Sequence, residues 1–194
     1  MANPVIDFLD LVRSDIERYF NTGFRKAQAK INKPLIIFES FVFKAGFHAT
    51  LLYRISHFFY RLRLSWIAWF IQRISVTLTG AEIEYNVEIG KGLLIAHPVG
   101  IVLGRGSRIG KNFTVYQNVT LGARHTDPER IFQFPVIEEN VTIYAGAVIA
   151  GGVRIGSKVT VGANAVVLTD VPAGAVAVGV PARILENARK SPLS

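Results

Sequence analysis

The 194-residue chain contains no cysteine and a single methionine. Without thiols it can form no disulfide, hold no metal through thiolate and use no cysteine nucleophile, and a reducing compartment suits it. Long apolar runs are missing too. Half of the residues are hydrophobic and the mean hydropathy is +0.32, yet a charged residue interrupts every stretch before the roughly 18 residues a membrane-spanning helix needs. The opening residues carry Asp7 and Asp10 where a signal peptide would be basic, so a cytoplasmic location is expected. Acid is scarce in one region, with no Asp or Glu between Glu39 and Glu82. Residues 1–80 hold 11 basic and 5 acidic residues and residues 81–194 hold 11 and 9, so most of the net +8 sits in the first part of the chain.

What is present is a repeat. From Ile83 an aliphatic residue returns every sixth position at Ile89, Ile95 and Ile101, then after a slip of two at Leu103, Ile109, Val115 and Leu121, and finally from Ile137 to Val167. A second small or aliphatic series includes Val87, Leu93, Val99, Ser107, Phe113, Val119, Val141, Ala147, Val153, Val159, Ala165 and Val171. Neither a 3.6-residue helix nor a period-2 strand produces a period of six. A parallel β-helix does: each hexad is one face of a triangular coil, and three hexads, about eighteen residues, close a turn. Gly and Asn suit its corners, where φ turns positive. Residues 122–136 (GARHTDPERIFQFPV) leave this register as a loop, and a long loop inside a repeat points to function.

Upstream, residues 4–79 read as helices. Pro4 opens an amphipathic stretch to Phe20, Ala45 and Gly46 divide a second apolar stretch from residues 47–61, and a third runs from Leu64 toward Gly80. The expected organisation is a basic, aromatic helical domain over 1–80, a coil domain over 81–186 and a tail over 187–194.

Three strings carry a resemblance: AGFHATLLYRISH at 45–57, GAEIE at 80–84 followed by IGKGLLIAH at 89–97, and GVPAR at 179–183. In order and rough spacing they resemble the serine acetyltransferase family, within the left-handed β-helix acyltransferases. The resemblance implies a left-handed parallel β-helix after the N-terminal helices, acetyl-CoA as co-substrate with no metal, and a homotrimer with its site between two coils. It implies His97 as general base and Glu82, fifteen residues earlier and on a neighbouring level, as the carboxylate that orients it. No Ser or Cys with a suitable base suggests a covalent relay, so transfer is expected to be direct. The pantetheine arm is implied near Ala123, Ala145 and Ala163, with Thr160 where the family often has a basic residue and Arg183 near the nucleotide phosphates.

The acceptor pocket departs from the family pattern. Where the family carries an Asp before the base and an Arg-His pair before the loop's closing Pro, this chain has Ala96 and Gln133-Phe134 before Pro135. The loop is also about two residues longer than the family's, and the acidic Asp-Pro element is not apparent. A free amino acid would leave its ammonium and carboxylate unpaired there, at several kcal/mol. The leading expectation is therefore O-acetylation of a sugar hydroxyl on a polysaccharide or lipid-linked glycan, with Ala96, Gln133, Phe134 and Arg130 facing the acceptor and Arg124 and His125 near any phosphate. Serine acetylation is the alternative, and a non-catalytic scaffold the least favoured. A metal hydratase on such a coil needs three converging His ligands, and only His97 and His125 are in range. Residues 41–80 combine Lys44, Arg54, Arg61, Arg63 and Arg73 with Phe58, Trp66, Trp69 and Phe70. They read as a peripheral contact with the inner face of the membrane, or as packing against a second trimer. No nucleic-acid motif accompanies the charge, so no nucleic-acid partner is expected.

Overall fold

A computed structural model describes residues 3–20, 44–124 and 133–185. Among the described residues three helices precede the coil: α1 (Pro4–Phe20), α2 (Ala45–Arg61) and α3 (Ser65–Thr79). The Asn3 side chain accepts the Val5 N–H at 3.0 Å and Pro4 takes the first helical position, the usual start for a helix. Ala45 and Gly46 form the first turn of α2 rather than a break before it. A Cβ at Gly46 would fall 2.1 Å from the Ile95 carbonyl oxygen, so the bare glycine lets α2 lie directly on the coil. Gly80 ends α3 in the left-handed conformation.

Fifteen strands follow among the described residues, β1 (Glu82–Ile83) to β15 (Arg183–Leu185), most of them two residues long. They form three sheets, in the orders β1-β4-β7-β10-β13, β11-β8-β5-β2 and β15-β14-β12-β9-β6-β3. All pairs are parallel except β14 with β15, and β1 to β13 visit the three sheets in turn, which is the triangular left-handed β-helix. Ile83, Leu103, Leu121, Ile149 and Val167 stack in register inside one wall, and the corresponding aliphatics of the other walls complete a continuous core. Asn112, Asn118, Asn140 and Asn164 turn corners with positive φ, where a short polar side chain tolerates the left-handed region.

Two details of the repeat differ from the sequence reading. Val99 is 64% exposed, whereas Ile101 is fully buried and takes the inward place assigned to Val99. The two additional residues lie in the corner 96–100 and push Val99 outward. The coil also keeps Gly122 in β7 (Thr120–Gly122) and resumes at Val136 in β8 (Val136–Ile137), so the excursion spans 123–135.

Among the described residues the first turn of the coil has strands on one side only, since β1, β2 (Glu88–Ile89) and β3 (Leu94–Ile95) each pair with a single strand. Side chains from the helices satisfy the other edge. Tyr53 donates to the Val87 carbonyl (2.7 Å), Arg54 donates to those of Ile89 and Gly90 (both 2.7 Å), and Tyr19 donates to the Ile95 carbonyl and accepts the Ile95 N–H (both 3.0 Å). Asp15 accepts from Arg54 Nε (2.7 Å) and from the Leu93 N–H (2.8 Å). Arg54 and Asp15 are almost wholly buried. Burial pushes the Asp15 carboxyl up, against the pull of Arg54 and the backbone N–H groups. An open parallel edge is thereby closed without a strand.

Candidate active site

The corner between β3 and β4 (Val102–Leu103) is wider than its neighbours. Glu82 pairs with Val102, twenty residues on, whereas Val102 pairs with Thr120, eighteen on. The corner carries His97, which is exposed, beside half-buried Ala96. The helices fix the strand leading into it. Tyr19 holds both backbone groups of Ile95 and contacts Thr50, and Gly46 presses against the same residue from the start of α2. A groove of about 660 Å³ opens there, lined by Tyr19, Lys44, Gly46, Ala96, His97 and Tyr116 among others. Among the described residues its lining contains no carboxylate.

Register sets what stands beside His97. Ile95, Val115, Ile143 and Val161 align in one wall, so the residues that follow them, Ala96, Tyr116, Tyr144 and Gly162, form a column along its edge. The His97 ring lies 6.4 Å from the Tyr116 ring, and Tyr116 stacks on Tyr144 at 5.0 Å with 27° between planes. The sequence reading did not single out these two tyrosines. Placing the hexads in register would have found them, as the large aromatics in a column otherwise of Ala and Gly.

Ala145 and Ala163 follow Tyr144 and Gly162 on the same corner. Gly146 is close-packed there, since a Cβ would sit 2.1 Å from Asn164 Oδ1. Thr160 projects from the same wall on β12 (Thr160–Val161), and Arg183 is exposed on β15. The remaining candidates lie at a different corner, where the loop leaves the coil. Ala123 begins that excursion, Gln133 packs over Gly152 and Phe134 over Gly106. Arg130 and His125 lie outside the described residues. One chain therefore gathers Ala96, His97, Ala145 and Ala163 on one corner and Ala123, Gln133 and Phe134 on another.

Glu82 is half-buried at the start of β1, with its N–H bonded to the Ile101 carbonyl at 2.8 Å. Glu82 and His97 thus flank the widened turn, the carboxylate at its start and the imidazole in its corner. The additional two residues fall in the corner of His97 itself and leave the ring exposed. His57 has a structural place: its Nδ1 lies 2.8 Å from the Tyr85 carbonyl, and burial holds its pKa below the usual histidine range. No cluster of three metal-ligating side chains occurs among the described residues.

Residues 134–169 match the family described as "Bacterial transferase hexapeptide (six repeats)". A serine acetyltransferase of Helicobacter pylori strain J99 is 38% identical over 144 residues, which is 74% of this chain and 83% of the relative. A soybean serine acetyltransferase complexed with serine superposes with a TM-score of 0.78 at 29% identity, covering 93% of this chain and 69% of the other. A serine acetyltransferase in complex with CoA gives a TM-score of 0.76 at 31% identity, covering 93% and 70%. Repeat, coil and relatives agree on an acetyl-CoA-dependent O-acetyltransferase, and the chain belongs to the serine acetyltransferase family.

Proposed function

We propose that the chain transfers acetyl from acetyl-CoA to the hydroxyl of serine, with His97 as general base. The observation that carries this reading is an exposed imidazole at a widened corner, opening on a groove, in a chain akin to serine acetyltransferases over most of its length. The relatives favour serine over the sugar hydroxyl expected from the departures in the acceptor pocket. In this mechanism His97 takes the hydroxyl proton and the oxygen attacks the thioester carbonyl. Backbone N–H groups of the coil stabilise the oxyanion, and the CoA thiolate leaves with the proton returned by the imidazolium. Glu82 orients the imidazole once the acceptor is seated, since catalytic hydrogen bonds tighten on binding.

The two separated corners become one site when a second coil lies alongside. The outward residues of the first wall support a trimer. Glu82, Val102, Thr120, Val148 and Val166 are half-buried and uncharged but for the first, whereas Glu88, Arg108, Val136 and Arg154 of the second wall are exposed. Ala145 and Ala163 from one coil and Ala123 from its neighbour then border the pantetheine arm, with Thr160 alongside and Arg183 toward the phosphates. Small side chains there leave room for an extended arm against backbone.

A second reading, an uncharged hydroxyl acceptor such as a sugar, rests on one specific observation. Among the described residues the groove's lining has no carboxylate to meet an ammonium group, and Tyr116, which lines it, stacks on Tyr144 and offers a face to a ring. Thiol release from acetyl-CoA, measured for the full chain with serine and with neutral sugars, separates the two. Serine turnover well above that with any sugar supports the first reading, and the reverse order replaces it with the second. In the second case Ala96→Asp combined with Gln133→Arg and Phe134→His shifts preference toward serine.

A further inference from the structure

The largest apolar side chains of α3 face outward. A surface helix ordinarily buries its apolar side, but the fully buried residues of α3 are Ala68, Gln72, Ser75 and Thr79, with Ile67, Ile71, Ile74 and Val76 half-buried beside them. These small or polar groups are satisfied internally: Gln72 Oε1 accepts the Tyr85 N–H at 3.4 Å and the Thr79 hydroxyl donates to the Ser75 carbonyl at 2.7 Å. Toward solvent the helix presents Trp66, Trp69, Phe70 and Leu78, with exposures of 72, 56, 58 and 71%. Trp66, Trp69, Phe70 and Arg73 are spaced i, i+3, i+4 and i+7 and share one face. Leu62 and Leu64 extend it at the turn before the helix. Aromatic area of this size left in water marks a contact surface.

Charge indicates the kind of partner. Arg63 stands exposed in the turn before the helix and Arg73 along it, and no Asp or Glu occurs from residue 40 to residue 81. A second copy meeting this face would set arginine against arginine with no acid on either helix to offset it. Anionic headgroups would pair with both arginines, while the indole and phenyl rings enter the boundary below them. No helix among the described residues is long and apolar enough to cross a membrane, so the contact is a surface one. We propose that the α3 face docks on an anionic lipid surface. This stands independently of which hydroxyl is acetylated.

The chain's two tryptophans are Trp66 and Trp69, so intrinsic fluorescence reports on this face alone. The full chain is titrated with vesicles of phosphatidylcholine, and with vesicles in which phosphatidylglycerol replaces a large share of it, at low and at high salt. A blue shift and flotation with the anionic vesicles, weakened by salt, are expected. Arg63→Gln with Arg73→Gln weakens the partition by about thirtyfold, from the usual contribution of a basic residue near an anionic surface. Trp66→Ser with Trp69→Ser abolishes flotation while leaving circular dichroism and acetyl transfer unchanged. The proposal is overturned by absence of binding to anionic vesicles at low salt, or by equal binding to phosphatidylcholine alone. It is also overturned if the tryptophan substitutions halve the mass of the assembly in solution, which assigns the face to a second copy.

Discussion

Within the coil, Ile83, Leu103, Leu121, Ile149 and Val167 stack from level to level with no polar side chain among them, whereas the helices meet the coil's first turn through Arg54, Asp15, Tyr53, Tyr19 and His57. The two regions face the same requirement, that buried backbone groups be paired. Inside the coil each strand finds the next one, so side chains need only fill space. At the first turn no described strand lies on the outer side, and side chains supply donors and acceptors there. Stability in the coil is thus spread over many similar contacts, and at the junction it is concentrated in a few.

Substitutions can break this contrast in order of size. Arg54→Met leaves the Asp15 carboxylate buried without its cation and two carbonyls without donors, and should cost about 3–5 kcal/mol in denaturant unfolding. Gly46→Ala, whose Cβ would overlap the Ile95 carbonyl, should cost about 1–3 kcal/mol. It should also slow acetyl transfer, because α2 and β3 both border the groove. Ile149→Val in the coil interior should cost about 0.5–1.5 kcal/mol with turnover unchanged. If it destabilises as much as Arg54→Met, the distinction between spread and concentrated stability is wrong.

The smallest effect is one of pH. Burial lowers the His57 pKa below 6.5, so the unfolded chain binds its proton more readily than the folded one. The contribution is complete above pH 6.5 and is lost as pH falls through the folded value. Melting temperature should fall between pH 7.5 and 5.5 more steeply in the wild type than in His57→Gln. Equal slopes would remove His57 from the junction's account.

The same contrast explains what could be read without coordinates. The coil was legible because its signal is local: a hexad repeats, and each aliphatic residue points inward irrespective of what lies beyond. The slip of two was visible as well, but its effect on Val99 and Ile101 depended on which corner absorbed it. The junction was not legible. Arg54 and Asp15 are 39 residues apart, on helices whose relative placement no periodicity encodes, and an arginine at 54 reads equally well as a surface charge. Likewise His97 stood out by its residue type, whereas the Tyr116 and Tyr144 column appears only when successive turns are aligned. The outward aromatics of α3 were recognised as a basic, aromatic segment. That those aromatics stay outward while Gln72, Ser75 and Thr79 are buried required the structure.

The central claim is that His97, carried on the widened corner, removes the acceptor proton. Its most direct test is the rate of thiol release from acetyl-CoA, with serine as acceptor, in the wild type and in His97→Ala. The account predicts a loss of about 10²–10⁴-fold in kcat with denaturant stability unchanged within about 0.5 kcal/mol. A variant that turns over at the wild-type rate would contradict it.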